Sequence, residues 1–234
     1  MRQVVLDTET TGLSTAQGHR IIEIGCLEMI NRKVTGRHYH QYINPQREID
    51  AGAIAVHGIT NESLANKPFF ADICDKFMRF VDGAELIIHN APFDIGFLNY
   101  ELSLLNKSWK SMTDYCQVID SLVLARKMYV GQRNSLDALC KRLFVDNSKR
   151  EFHGALLDAD LLARVYLAMT GGQATLLFSH EQDSTEVTNQ ADASTAIQKD
   201  ISRIFKVIKA NEEELTENKK ILETMAAKGK CLWL

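Results

Sequence analysis

The chain has no Cys-x-x-Cys pair, no apolar run near the roughly 20 residues that a membrane span needs, and no excess of basic residues. Each absence excludes something. The five cysteines, Cys26, Cys74, Cys116, Cys140 and Cys231, are odd in number and widely spread, so neither a disulfide framework nor a zinc site is expected. A reducing cytoplasm suits them. The N-terminus runs almost directly into a β-prone stretch without a basic-then-apolar leader, which predicts an untargeted chain with no membrane partner. A formal charge of −3 argues against gripping nucleic acid through a broad basic surface. If the substrate is nucleic acid, cations or a partner must supply the attraction.

What is there begins at Val4-Val5-Leu6-Asp7-Thr8-Glu9-Thr10-Thr11-Gly12, an apolar run that ends in two acids and is stopped by glycine. Alternate side chains of a strand share a face, so Asp7 and Glu9 point one way while Val4 and Leu6 pack on the other. Two like charges there require that one acid be protonated or that a cation sit between them, and hard oxygen ligands suit Mg²⁺ or Mn²⁺. On residue chemistry alone, a strand end fraying into an acidic loop is the simpler reading.

Further along, Gly12 to Gly18 read as a loop, residues 20–30 as a second strand and residues 34–43 as a third, joined by the polar turn Asn31-Arg32-Lys33. Residues 45–66 are turn-rich with short helical pieces. Pro68 opens a helix in which Ile73, Phe77, Phe80 and Val81 recur at helical spacing, and Gly83 ends it. Leu86-Ile87-Ile88-His89 is a short buried strand. Asn90-Ala91-Pro92 starts a helix with two apolar stripes, one through Phe93, Phe97, Tyr100 and Leu104, the other through Ile95, Leu98, Leu102 and Leu105. Val118-Ile119 marks a fifth strand, followed by helices over about 121–128, 135–143 and 155–169. Antiparallel first and helix-crossed later, this order predicts an α/β fold with a mixed sheet and helices on both faces. Beyond Gly171-Gly172 a polar stretch over 179–196 reads as a flexible linker. A tail follows with apolar residues at Ile197, Ile201, Ile204, Ile208, Leu215, Ile221, Leu222 and Met225, too short to bury them by itself and so expected to dock on something else.

Three further residues stand out by position. Asp158 shares a helical stripe with Leu162, Val165 and Met169, and a carboxylate heading an apolar face needs a cation or strong donors. A loop cap or a bond to a buried amide would also satisfy it. Asp160 falls on the opposite side with Arg164 four residues on, an ordinary solvated pair. Asp94 lies in the first turn of its helix, where the macrodipole favours an acid, and like Asp7 and Glu9 it follows the end of a strand. His153 precedes Asp158 by five residues, which on a helix would part them by about 140°, so convergence requires His153 to lie in the loop before the first turn, with Gly154 allowing an irregular approach.

Asp7-x-Glu9, Asp94 after Asn90-Ala91-Pro92-Phe93, and His153-x-x-x-x-Asp158 resemble, in order and spacing, the motifs of the DEDDh exonuclease superfamily. The longer strings Val56-His57-Gly58-Ile59, Ile88-His89-Asn90-Ala91, Arg133-Asn134-Ser135-Leu136-Asp137-Ala138-Leu139-Cys140 and His153-Gly154-Ala155-Leu156-Leu157-Asp158-Ala159 resemble its proofreading branch, which serves bacterial replicative polymerases. The likeness is dense over residues 1 to about 178. It implies a ribonuclease H-like five-stranded domain over 1–172 that removes nucleotides from 3′ ends with two divalent cations, Mg²⁺ or Mn²⁺. By that resemblance Asp7, Glu9 and Asp158 hold the more buried ion, Asp7 is shared with the second, Asp94 helps to hold that one, and His153 is the catalytic base. Carboxylates around His153 are expected to keep it basic.

The same resemblance places the terminal nucleotide against Asp7, Thr8, Glu9, Leu13, Gly52, Val56, His57 and Asp158, with Leu13 as an apolar wedge; loop packing is the other reading of Leu13 and Val56. Enterobacterial relatives carry an acid where this chain has Gly52, so a side-chain contact to the sugar is absent here. Gln173-Ala174-Thr175-Leu176-Leu177-Phe178 resembles a short sliding-clamp-binding peptide, with Gln173, Leu176, Leu177 and Phe178 as its contacts, although a helix-end staple fits too. The tail, 197–234, is implied to bind the polymerase catalytic subunit, and a small third subunit is an open partner. Two alternatives remain: a free-standing exonuclease that trims RNA or DNA ends, and a non-catalytic scaffold joining polymerase to clamp.

Overall fold

A computed structural model of the chain describes residues 1–105, 107–148, 150, 152–171 and 211–228. The strands expected from sequence form a five-stranded mixed sheet in the order β3-β2-β1-β4-β5, with β1 at Arg2–Thr10, β2 at Ile21–Ile30, β3 at Lys33–Tyr42, β4 at Glu85–Ile88 and β5 at Gln117–Asp120. β1, β2 and β3 run antiparallel, whereas β4 joins β1, and β5 joins β4, in parallel. Hairpin turns permit the first arrangement and helical crossovers the second.

The helices are α1 (Ala51–His57), α2 (Asn61–Leu64), α3 (Phe70–Val81), α4 (Ala91–Ser103), α5 (Ser121–Met128), α6 (Leu136–Arg142), α7 (Ala155–Thr170) and α8 (Glu212–Lys228). Period two in β1 sends Val4 and Leu6 into one core with Phe77 of α3 and Phe97 and Leu98 of α4. Val5 enters the core on the opposite face with Ala159, Leu162 and Tyr166 of α7. Asp7 and Glu9 continue the Val5 side, so the strand that anchors both cores also aims its acids toward α7.

Four expectations need adjustment. The loop after Gly12 contains a 3₁₀ turn at Thr15–Gln17, the third strand starts and ends one residue early, and α3 begins at Phe70 because its first turn is capped by Asp72 bonding back to the Phe69 amide at 2.9 Å. Of the two stripes on α4, Leu104 reaches solvent at the helix end, and a buried acid, Glu101, lies among the apolar positions. The chain divides at Gln182/Asp183. Among the described residues of the second unit, α8 leaves Leu215 and Ile221 exposed. The clamp-peptide residues Gln173, Leu176, Leu177 and Phe178, the linker over 179–196 and the stripe Ile197, Ile201, Ile204 and Ile208 lie outside the described residues. No helix among the described residues is long and apolar enough to cross a membrane.

Candidate active site

Three elements bring the acids together. β1 carries Asp7 and Glu9; α4, which starts beyond the end of β4 at a left-handed Asn90 (φ 69°), carries Asp94 in its first turn; α7 carries Asp158 in its own. The approach of α7 to the sheet depends on Gly25, the partner of Asp7 across the β1–β2 ladder. A Cβ at Gly25 would fall 2.2 Å from the backbone of Ala155 and Leu156, so only glycine lets the first turn of α7 lie directly on β2. Buried Glu23 fixes the same turn, accepting the Ala155 amide at 3.1 Å through one oxygen and holding His40 Nε2 at 2.6 Å through the other. Neither residue belongs to the motifs; a glycine within a strand was the signal available for Gly25.

Thr8 is buried and donates its hydroxyl to Asp94 Oδ1 at 2.7 Å, which links β1 to α4. His153 lies in the loop before α7, as its spacing from Asp158 required, with its amide bonded to Val56 O at 3.1 Å. Gly154 is not what permits this: its φ of −157° is extended backbone open to any residue. One ligand atom each from Glu9, His153 and Asp158 lies within 4.8 Å of the others. His153 Nδ1 is 3.4 Å from Asp158 Oδ2.

The acids act on one another's ionisation. Burial, and after it the negative charges of Asp94, Asp158 and Glu9, push the Asp7 carboxyl well above the usual range. Glu9 is raised to about 8 by burial, then by Asp158 and Glu23. Asp94 is raised to about 7 by burial, with the Thr8 hydroxyl pulling partly the other way. The opposing cation is Arg150, which lowers both Asp7 and Glu9 and forks onto Asp158 through Nε and Nη2, each at 2.6 Å. Sequence reasoning missed Arg150 because a basic residue on a loop carries no periodic signal. Beside the acids lies a cleft of about 420 Å³ lined by Thr8, Glu9, Leu13, Gly52, Val56 and His57, together with Asp50 and Phe93. Leu13 is 84% exposed at its rim, and His57 is buried, with burial holding its ring below the usual histidine value.

Residues 4–166 match the family model described as "Exonuclease". The chain is 50% identical to the DNA polymerase III subunit epsilon of Salmonella typhimurium, covering 99% of this chain and 97% of that one. The chain belongs to the epsilon-subunit family of exonucleases. The corresponding subunit of Escherichia coli is 49% identical over 99% of this chain and 97% of its own. In fold, the chain is similar to the nuclease domain of 3′hExo, a DEDDh family member solved bound to rAMP, with a TM-score of 0.62 at 20% identity over 74% of this chain and 92% of that one. The mixed sheet with flanking helices is thus shared with exonucleases well beyond the epsilon family, and the ribonuclease H-like architecture expected from the motifs is the observed one.

Proposed function

We propose that the protein removes mispaired nucleotides from the 3′ ends of DNA by hydrolysis, as the proofreading 3′-5′ exonuclease of the replicative DNA polymerase. The observation that carries this reading is the convergence of Asp7, Glu9, Asp94 and Asp158 from three separate elements beside one imidazole. Two divalent cations fit that donor set: the ligands are hard carboxylate oxygens, and their pKa values are raised by burial and, at Glu9, by the neighbouring charges of Asp158 and Glu23, a penalty that bound cations would offset. Mg²⁺ or Mn²⁺ is the expected class, with Asp7, Glu9 and Asp158 at one ion and Asp94, held by Thr8, with Asp7 at the other. When bound, such a pair supplies Lewis-acid polarisation and charge neutralisation at the scissile phosphodiester.

The chain's own residues do the rest. His153 takes the proton from the attacking water, and the tether of its amide to Val56 O couples the base to the wall of the nucleotide cleft. The cleft has the size of a small-ligand site, enough for one terminal nucleotide frayed from a duplex. Leu13 wedges against the last base, Val56 and neutral His57 flank it, and at Gly52 no side chain reaches the sugar. A domain over 1–172 followed by a clamp-binding peptide at 173–178, a linker at 179–196 and a tail at 197–234 accounts for a net acidic exonuclease: tethering to the polymerase catalytic subunit and, more weakly, to the sliding clamp raises its local concentration at the primer end to about millimolar. Exposed Leu215 and Ile221 suit tail docking. A small additional subunit fits the same assembly, whose place of work is the replication fork in the cytoplasm.

A 3′-mismatched DNA primer, incubated with Mg²⁺ and with chelator beside an RNA oligomer of the same sequence, tests this reading. Expected is metal-dependent loss of the mismatched nucleotide with DNA preferred. Preference for RNA would support a free-standing trimming enzyme, and absence of metal-dependent cleavage a scaffold.

A further inference from the structure

Arg150 lies on the loop between α6 and α7, three residues before His153, with its side chain 7% exposed. Its guanidinium meets three partners at once. Nε and Nη2 fork onto Asp158, Nη1 bonds Asp137 Oδ1 at 2.6 Å, and Nη2 lies 2.9 Å from His153 Nδ1. A guanidinium has donors and no acceptor, so His153 Nδ1 must accept, and a neutral ring then carries its proton on Nε2. In that form neither ring nitrogen can take a proton from water: the lone pair of one is occupied and the other already bears hydrogen. The same fork occupies a lone pair on each oxygen of Asp158, whose ligand atom lies within 4.8 Å of those of Glu9 and His153 in the candidate cation site.

We propose that Arg150 is the resident counter-cation of the site, a positioning residue that clasps Asp158 and His153, competes with divalent ions for Asp158, and must release both for those ions to bind and for His153 to act as a base. The inference rests on the two-cation reading given above. Its physical content is competition. Arg150 and a divalent ion both seek the oxygens of Asp158, and like charges repel when both are present. Exposed Asp137 gives the guanidinium a second seat, so release from Asp158 does not leave Arg150 without an ionic partner. Until then, the clasp limits the repulsion among Asp7, Glu9, Asp94 and Asp158 and keeps the loop of His153 in place.

The full chain and its Arg150→Gln and Arg150→Lys variants test this by Mn²⁺ titration, followed through the paramagnetic resonance of the free ion, and by melting in chelator and in Mn²⁺. Apparent affinity scales with the fraction of sites competent to bind, so Arg150→Gln is expected to bind Mn²⁺ roughly tenfold more tightly than wild type, with Arg150→Lys between. Arg150→Gln should also melt lower in chelator and gain more from Mn²⁺. Unchanged or weaker Mn²⁺ binding in a cooperatively melting Arg150→Gln variant overturns the proposal, since a merely structural arginine predicts that result. Nitrogen NMR of wild type, with His153 assigned by comparison with His153→Gln, gives a reading independent of the Arg150 variants. The Nε2–H tautomer is expected without metal and a shifted Nδ1 resonance with saturating Mg²⁺; a ring insensitive to Mg²⁺ also overturns it. Wild type that binds no Mn²⁺ removes the two-cation reading itself, a failure distinct from that of the clasp.

Discussion

Two arginine forks among the described residues, each onto a buried acid, look alike and do opposite things. Arg20 reaches Glu101 of α4 through Nε at 2.8 Å and Nη2 at 2.6 Å, and the Ile21 amide adds a third donor at 3.1 Å. Arg150 reaches Asp158 of α7 with the same two-pronged geometry. The first acid has three donors to itself and pins α4 to the start of β2. The second shares its guanidinium with Asp137 and His153, and its charge raises the carboxyls of Asp7 and Glu9. A buried carboxylate matched by its donors is structure; a cluster of carboxylates with too little positive charge is a place for added cations.

The sharpest way to separate the two forks is through catalysis. His153→Ala should lower single-turnover hydrolysis of a 3′-mismatched primer by roughly 10²–10⁴-fold with DNA binding nearly intact, the usual scale for loss of a general base, whereas a near-normal rate would remove His153 from the chemistry. Next in size, Glu101→Gln should destabilise the fold by about 1.5–3 kcal/mol, because the partly buried Arg20 and the Ile21 amide lose their charged acceptor; denaturant melting measures this, and a loss below about 1 kcal/mol would make the two forks equivalent after all. Neutralising an acid of the second cluster should act in the other direction. Glu9→Gln is expected to stabilise the chelated protein by about 1–3 kcal/mol at neutral pH, since the wild-type carboxyl must be held against its tendency to ionise, while abolishing activity; a destabilised variant would contradict the excess of negative charge.

The pH dependence follows with its sign. Glu9 rises from an ordinary 4.5 to about 8 and Asp94 from 3.8 to about 7 on folding. Folded values above unfolded ones mean that their contribution to stability is fully present below about pH 4 and is lost as pH climbs through 7 and 8. Melting in chelator should therefore fall between pH 5 and 9, and saturating Mg²⁺ should flatten the slope. A chelated protein with no decline over that range speaks against the raised carboxyls. The smallest effect belongs to the rim: Asp137 is 58% exposed, so Asp137→Ala should change stability by less than about 1 kcal/mol, as surface pairs do.

Much of this was legible before any coordinates. Period-two alternation in β1 assigned Val4 and Leu6 to one face and Asp7 and Glu9 to the other, and the spacing of His153 from Asp158 required the loop position it has. Glu101 escaped notice because it occupies an apolar stripe of α4 and its partner, Arg20, is 81 residues away in sequence. Gly25 and Glu23 escaped for a similar reason, since each acts on the start of α7 more than a hundred residues later.

The sequence by itself determined the elements, their order and which side chains each strand and helix turns inward, because periodicity and turn chemistry are local. It also offered the acids and the histidine as candidates, through their positions on strand and helix and the resemblance of their motifs to those of the DEDDh exonucleases. Only the tertiary structure decided that Gly25 admits α7 onto the sheet, that Glu23 fastens its first turn, and that Arg150 closes onto Asp158 and His153. Such matches of shape and charge arise between segments remote along the chain, and no local pattern encodes which remote partner a buried group will meet.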